Sequence, residues 1–290
     1  MDWMETISSA ISYIEKHITE ELTIERIAEY VHISPFYFQR GFSLLCGYTI
    51  SEYIRNRRLS LAGNELVATD AKVIDIAMKY GYDSPDSFTK AFTRFHGVTP
   101  TAVRKDSATV KGFAPLKLKI ILEGGFSMDY RIMKKEAFTI IGVSKVISFE
   151  DSYKQCPEFW EEYYRTGKGK YICGMYGVGK DEDGKDGQFK YMIADNYDPS
   201  RDIPEGFETM VIPSFTWAVF PCKGPMPKAI QEVNSKIYSE WLPVNKEYEI
   251  AAGYSIEYYS DVRKYEKGNQ SENYYSEIWM PVNKIDVKEE

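Results

Sequence analysis

A carboxylate held between aromatic side chains is costly to keep dry unless a cation or a hydrogen-bond donor meets it. The run YYSEIWMPVNK at 274–284 contains such an arrangement. In a strand alternate side chains share a face, so Tyr275, Glu277 and Trp279 point together while Tyr274, Ser276 and Ile278 point away. Aromatic faces also attract cations. A lipophilic organic cation would answer both demands, and so would a neighbouring basic residue or an edge position facing water. Glu257 stands in a similar setting, sharing its face with Ser255 and Tyr259. Tyr191, between Phe189 and Ile193, and Trp217, between Phe215 and Val219, complete the candidate ligand-binding set, although both suit a core equally well. The four cysteines form no CxxC pair, so they fit reduced thiols in a cytoplasm better than a zinc or disulfide framework. The three histidines, His17, His32 and His96, all lie in the first third of the chain. With no metal-ligand cluster and no nucleophile elbow, no catalytic residue, metal or cofactor is expected, and the chain is not expected to be an enzyme.

A second chemistry is written in basic residues around a repeat. Ile27-Ala28, Ser34-Pro35, Phe38, Phe42, Gly47 and Thr49 recur as Ile76-Ala77, Ser84-Pro85, Phe88, Phe92, Gly97 and Thr99. The pattern describes two helix-turn-helix units. Each pairs a short helix with a second one opened by Ser-Pro, since Ser caps well and Pro tolerates the first helical position. Phe36, Tyr37, Gln39 and Arg40 on the first such helix, and Pro85, Asp86, Ser87 and Lys90 on the second, are the candidates for reaching DNA. Between the units, Thr49 to Glu65 reads as a long connecting helix carrying Arg55, Arg57 and Arg58, a cluster suited to phosphates. Two recognition helices about one duplex turn apart would enter successive major grooves.

The elements that must position these residues fall into two domains. The 290 residues, 43% hydrophobic and 27% charged, suffice for two cores. Net charge is −7, and residues 1–108 hold 12 Lys/Arg against 14 Asp/Glu, so any positive surface there must be local and non-specific DNA affinity modest. No run approaches the length of a membrane span, and the N-terminus lacks the basic and apolar blocks of a signal peptide. The spacing predicts helices over 3–17 and from a Thr23 cap onward. Residues 109–127, containing the alternating run Leu116 to Ile120 and Gly124-Gly125, read as a linker with a short strand.

Beyond it a second duplication is visible. Strands are expected at 130–132, 138–143, 171–178, 189–194, 207–212, 215–220, 250–259 and 274–282, with helices over 158–164 and 228–242 and a charged turn KDEDGKDG between two strands. Phe138-Thr139 and Phe215-Thr216 open matching strands. Two β-α-β-β halves would enclose a cleft, a common place for a small ligand.

The stretch IDIAMKYGYDSPDSFTKAFTRFHGVTPTAVRK resembles the signature region of the AraC/XylS family of bacterial transcription regulators. The resemblance covers roughly residues 5–107 and implies binding of a double-stranded DNA operator through both recognition helices, with RNA polymerase as a further partner. Pro85 and Asp86 depart from the longer polar residues of some relatives, although Asp86 can accept from cytosine. Residues 128–285, above all YYSEIWMPVNK, are similar to the GyrI-like effector-binding domain, often fused to DNA-binding domains of this type. That resemblance implies a small-molecule effector, an aromatic pocket, and an acid matching Glu277 that pairs with cationic amphiphiles, with Glu257 at another commonly acidic position. Two other readings follow from it: a hydrolase using Glu257 and Glu277 as acid and base, or a protein-interaction module. The expected fold class is multidomain: an all-α double helix-turn-helix domain over 1–108, a linker over 109–127, and an α+β domain over 128–290.

Overall fold

The computed structural model of the chain describes residues 3–106, 109–117, 128–149, 151–181 and 187–285. Contacts group them into two compact units. One comprises Met4–His32 with Cys46–Ile121; the other comprises Met1–Trp3, Ile33–Leu45 and Leu122–Glu290. The grouping departs from the expected boundaries chiefly at α3 (Pro35–Cys46), most of which belongs with the C-terminal sheet; Trp3 also joins the sheet unit, and residues 109–117 of the expected linker join the helical one.

The helical unit contains α1 (Trp3–Lys16), α2 (Ile24–Tyr30), α4 (Ile50–Ala68), α5 (Val73–Lys79), α6 (Pro85–His96) and α7 (Pro100–Asp106). Its helix starts are those expected from the side chains. Thr23 Oγ1 accepts from the Arg26 amide at 3.2 Å, and Thr49 with Glu52 forms a reciprocal capping box on α4. Ser84 accepts from the Ser87 amide, with Pro85 in the first turn, and α6 stops at Gly97, whose φ of +83° a side chain would resist. Leu59, Leu66, Ile76, Ala77, Phe88 and Phe92 form the core between α4, α5 and α6. Truncating a Phe at such a position costs about 3–5 kcal/mol.

The sheet unit is built from β1 (Arg131–Lys135), β2 (Phe138–Ser148), α8 (Ser152–Arg165), β3 (Tyr176–Asp181), β4 (Gln188–Asn196), β5 (Glu208–Ile212), β6 (Phe215–Lys223), α9 (Lys228–Lys236), β7 (Tyr248–Ile250), β8 (Tyr254–Tyr259) and β9 (Tyr275–Lys284). The order across the antiparallel sheet is β1-β6-β9-β8-β3-β4-β2-β5, with β7 added beside β9. That order is a palindrome: β1 and β6 of one flank mirror β5 and β2 of the other, and β3 meets β8 at the centre. The register agrees, because Gly142, Ala194 and Tyr176 align across one half as Val219, Trp279 and Ile256 do across the other. Phe138 and Phe215 therefore occupy equivalent positions, as their sequence match predicts.

One face of the sheet carries the core, with Ile140, Val178, Met192, Trp217, Ile256 and Trp279 among its buried members. Against the other face pack α8, over β2, and α9, over β6 and β9. Four elements differ from expectation. The helix expected over 228–242 is α9 only as far as Lys236 and continues as a π-helical turn, Ile237–Trp241. Helix α8 begins at Ser152, six residues before the predicted start, because Pro157 lies inside it rather than at its beginning. Residues 171–175 precede β3 without strand pairing, and the expected strand over 250–259 is two strands, β7 and β8. The predicted strand beyond residue 117, Gly124-Gly125 and most of the KDEDGKDG turn lie outside the described residues.

Candidate functional site

The sheet unit contains a cavity of about 820 Å³, walled by α8 and α9, floored by β3, β4 and β8, and bordered on one side by α3. Two acids stand on the floor, Glu257 on β8 and Asp195 on β4; Asp195 accepts from the backbone amides of Cys173 and Met175, whereas Glu257 is met by side chains alone. Strand pairing sets Glu257 opposite Gly177. A Cβ on Gly177 would lie 2.9 Å from Glu257 Oε2 and would also strike the Tyr191 hydroxyl. Glycine in a strand weakens it and marks a close approach; here it leaves the volume in which the Tyr191 hydroxyl and Glu257 Oε2 meet.

The hydroxyls of Tyr191 and Tyr259 donate to Glu257 Oε2 at 2.8 and 2.9 Å, and Trp160 Nε1 donates to the Tyr191 oxygen at 2.9 Å. Burial, reinforced by the Glu257 charge, pushes both tyrosines well above the usual phenol range, so both keep the protons they donate. Trp160 also meets the Tyr259 ring edge-on with centroids 5.2 Å apart. Oxygen Oε1 is the less occupied one: Arg40 Nη2 stands 3.9 Å away, an ion pair too long for a hydrogen bond. Burial also raises the thiol of Cys156, on the α8 wall, to about 12, with the Glu257 charge adding to the shift. It is therefore a neutral wall group rather than a nucleophile.

Sequence reasoning placed Glu277 at the centre of the pocket, and the structure surrounds it differently. Glu277 Oε1 accepts from Arg131 Nη2 at 2.8 Å and from the Tyr275 hydroxyl at 2.5 Å, while Oε2 accepts from Trp279 Nε1 at 2.6 Å. Tyr275, Glu277 and Trp279 do share a face, as periodicity requires. That face is the core side of the sheet, since Glu277 pairs with Tyr258 and Trp279 with Ile256, whereas Glu257 pairs with Ile278. The residues lining the cavity include Glu257 and Tyr191 but none of Glu277, Tyr275, Trp279 and Trp217. Trp217 is fully buried in the core. Because the two glutamates point to opposite faces, they do not form an acid–base pair. Gly177, Gly179, Trp160 and Tyr259 were not singled out for the site from sequence; alternate glycines in YGVGKD are the signal that could have found it.

The candidate DNA-contacting residues also separate. Pro85, Asp86, Ser87 and Lys90 on α6 are exposed, as is Arg55 on α4. Arg58 is spent inside the helical unit, donating to the Ile18 and Glu20 carbonyls at 2.8 and 2.6 Å. Arg57 forks onto Glu15 at 2.8 and 2.7 Å and also donates to the Phe113 carbonyl. On α3, Phe36, Tyr37 and Gln39 are buried and Arg40 is partly so.

Residues 131–282 match the family of integron-associated effector binding proteins, and residues 27–106 match a helix-turn-helix domain. Over 98 residues the chain is 39% identical to the HTH-type transcriptional activator AarP of Providencia stuartii, covering 34% of this chain and 73% of that protein. It is 31% identical over 166 residues to the right origin-binding protein of Escherichia coli K12, covering 56% of this chain and 55% of that protein, so it spans about half that relative's length. A solved structure described as SAV2435 bound to tetraphenylphosphonium resembles 54% of this chain and 94% of its own, with a TM-score of 0.47 and 24% identity. The chain belongs to the AraC family of helix-turn-helix transcription regulators, with a C-terminal domain of the GyrI-like, integron-associated effector-binding family. It is a DNA-binding regulator carrying an effector-binding domain.

Proposed function

We propose that the chain is a cytoplasmic, non-enzymatic sensor whose effector is a lipophilic organic monocation, held in the cavity over Glu257. The observation that carries this reading is the carboxylate itself. It stands on the floor of an aromatic cavity, with one oxygen held by Tyr191 and Tyr259 and the other turned toward a cation. Tyrosine donors orient the acid without neutralising it, and the aromatic walls supply both apolar area and attraction for positive charge. The cavity volume falls within the range of small-molecule sites.

On the DNA side, α6 enters the major groove with Asp86 and Ser87 nearest the base edges, and Lys90 and Arg55 neutralise phosphates. Their exposure supports this assignment. RNA polymerase is the further partner expected of a regulator that acts at promoters.

The effector reading is tested by titrating tetraphenylphosphonium into the full chain by calorimetry. Glu257→Gln should weaken its binding tenfold or more, in keeping with the 1.5–3 kcal/mol range of charge-assisted contacts. A neutral triphenylphosphine oxide control should be affected little. Equal loss for both probes, or for neither, would count against an electrostatic site.

A further inference from the structure

Helix α3 carries the first set of residues that sequence assigns to DNA, yet its outer face is seated in the effector domain. Phe36 lies against Phe149 and Phe189, with ring centroids 5.4 and 5.5 Å away and both rings edge-on. It reaches β3 where Gly179 has no side chain, and a Cβ there would stand 2.9 Å from the Phe36 ring. The Tyr37 hydroxyl donates to the Tyr254 carbonyl at the start of β8. Arg40, one turn along from Phe36, points at Glu257 Oε1. Burial works against its charge, but the neighbouring Tyr238 and Glu257 outweigh that cost and its pKa is raised. The guanidinium therefore stays charged inside the cavity wall.

From this arrangement we infer that Arg40 is an internal stand-in for the effector cation, so that cation binding at Glu257 and docking of α3 exclude one another. The inference rests on the effector reading above and adds its regulation. One carboxylate oxygen faces the cavity, and a second cation brought to it meets the guanidinium as a like charge in a poorly solvated place. A bound effector removes the electrostatic tether of α3 and leaves its apolar contacts, Phe36 and Tyr37 among them, to hold the helix. Docked α3 cannot offer Phe36, Tyr37 or Gln39 to a groove, because those side chains are buried. The effector thus favours the state in which the first recognition helix is free. Linkage requires the converse as well: DNA that engages α3 raises affinity for the cation.

The test uses the full chain and tetraphenylphosphonium as probe. Cation affinity is measured for the wild type, Arg40→Gln and Glu257→Gln. Amide hydrogen exchange over residues 35–46 of the wild type is followed with and without saturating probe. An internal competitor lowers apparent affinity by the fraction of molecules it leaves competent. Arg40→Gln should therefore bind the probe about five- to tenfold more tightly, Glu257→Gln at least tenfold more weakly, and probe should speed exchange in α3. If Glu257→Gln weakens binding while Arg40→Gln does not strengthen it and α3 exchange stays unchanged or slows, the competition is overturned and the effector reading stands. If the wild type fails to bind, or Glu257→Gln binds as well as wild type, the effector reading falls and the competition with it. Should Arg40→Gln fail to fold, wild-type exchange decides alone: faster exchange upholds the competition and unchanged or slower exchange overturns it.

Discussion

Gly177 and Glu257 are paired across β3 and β8, and the side chain that Gly177 lacks leaves the space in which the Tyr191 hydroxyl meets Glu257 Oε2. The acid, its tyrosine donor and the glycine are therefore one packed feature, and the proposed effector site depends on all three.

Gly177→Ala tests that dependence. The added methyl meets the buried Tyr191 hydroxyl and the partly buried Glu257 carboxylate on a strand flanked on both sides, so it can be accommodated only by moving one of them. Overpacking of this kind costs about 1–3 kcal/mol, and displacement of Glu257 should weaken cation binding at least tenfold. Gly112→Ala is the control, since a Cβ there meets nothing within 4 Å. Chemical denaturation and calorimetry on both variants give the comparison.

Glu277→Gln should lower stability and leave cation affinity unchanged. The carboxylate accepts from donors at both oxygens, and a Gln must turn its amide nitrogen toward one of them. The exposed position of Arg131 means that its ion pair contributes little after screening. The larger loss is the buried Trp279 N–H or the Tyr275 hydroxyl left without an acceptor, about 1–3 kcal/mol. Urea denaturation with a parallel cation titration would detect it. A variant as stable as wild type would show these bonds to be dispensable.

Acid should loosen the helical unit through His96. The Lys111 amide donates to Nδ1 at 3.0 Å, so Nε2 carries the ring proton and donates to the Leu59 carbonyl at 2.9 Å. Burial depresses the pKa; the Leu59 bond opposes that shift and the Lys111 charge adds to it. The unfolded chain, with a His pKa of about 6.5, takes up the proton first. The stability contribution is thus complete above about pH 6.5 and is lost as pH falls toward the folded value. Melting temperature measured between pH 7.5 and 5 should decline, and His96→Gln should flatten the decline.

Arg55 and Arg57 should part company when each is changed to Ala. Arg55 is exposed and reaches solvent, so its loss should weaken DNA binding across sequences and reduce the salt slope by about one unit, with stability held. Arg57 joins α1 to α4 through Glu15, and removing it strands a carboxylate that also accepts from Tyr53 at 2.7 Å. Because Glu15 is partly exposed, the expected cost is about 1–3 kcal/mol rather than the full penalty of a buried pair. Mobility-shift titrations at two salt concentrations, alongside thermal melts, separate the two roles.

The helical unit was largely legible in its sequence because its signals are local. Thr23, Thr49, Ser84 and Gly97 cap helices through bonds to residues at most four positions away. The Phe88 and Phe92 anchors follow helical spacing. The duplicated strands were legible for a similar reason, since Phe138 and Phe215 open equivalent strands. Periodicity correctly placed Glu277 with Tyr275 and Trp279, but it says which residues share a face and not which face is the core. That choice depends on pairing between β8 and β9, which local pattern does not carry. Arg57 and Arg58 look like phosphate ligands for the same reason: their partners lie about forty residues back in the chain, at Glu15, Ile18 and Glu20. The seating of α3 could not be read at all, because Phe36 and Tyr37 suit a recognition helix and an aromatic cleft equally.

The palindromic strand order has a consequence for the guest. Any residue on the central axis faces its own counterpart from the other half, at a Cα separation of about 5 Å. Had both halves kept an acid there, two like charges would confront each other in a poorly hydrated space. With glycine in one half and glutamate in the other, an even frame holds an odd charge. On the proposed effector reading, the charge on that central line is therefore single and set on the β8 side, so a cationic guest would turn its head toward β8 and its apolar body toward the glycine of β3.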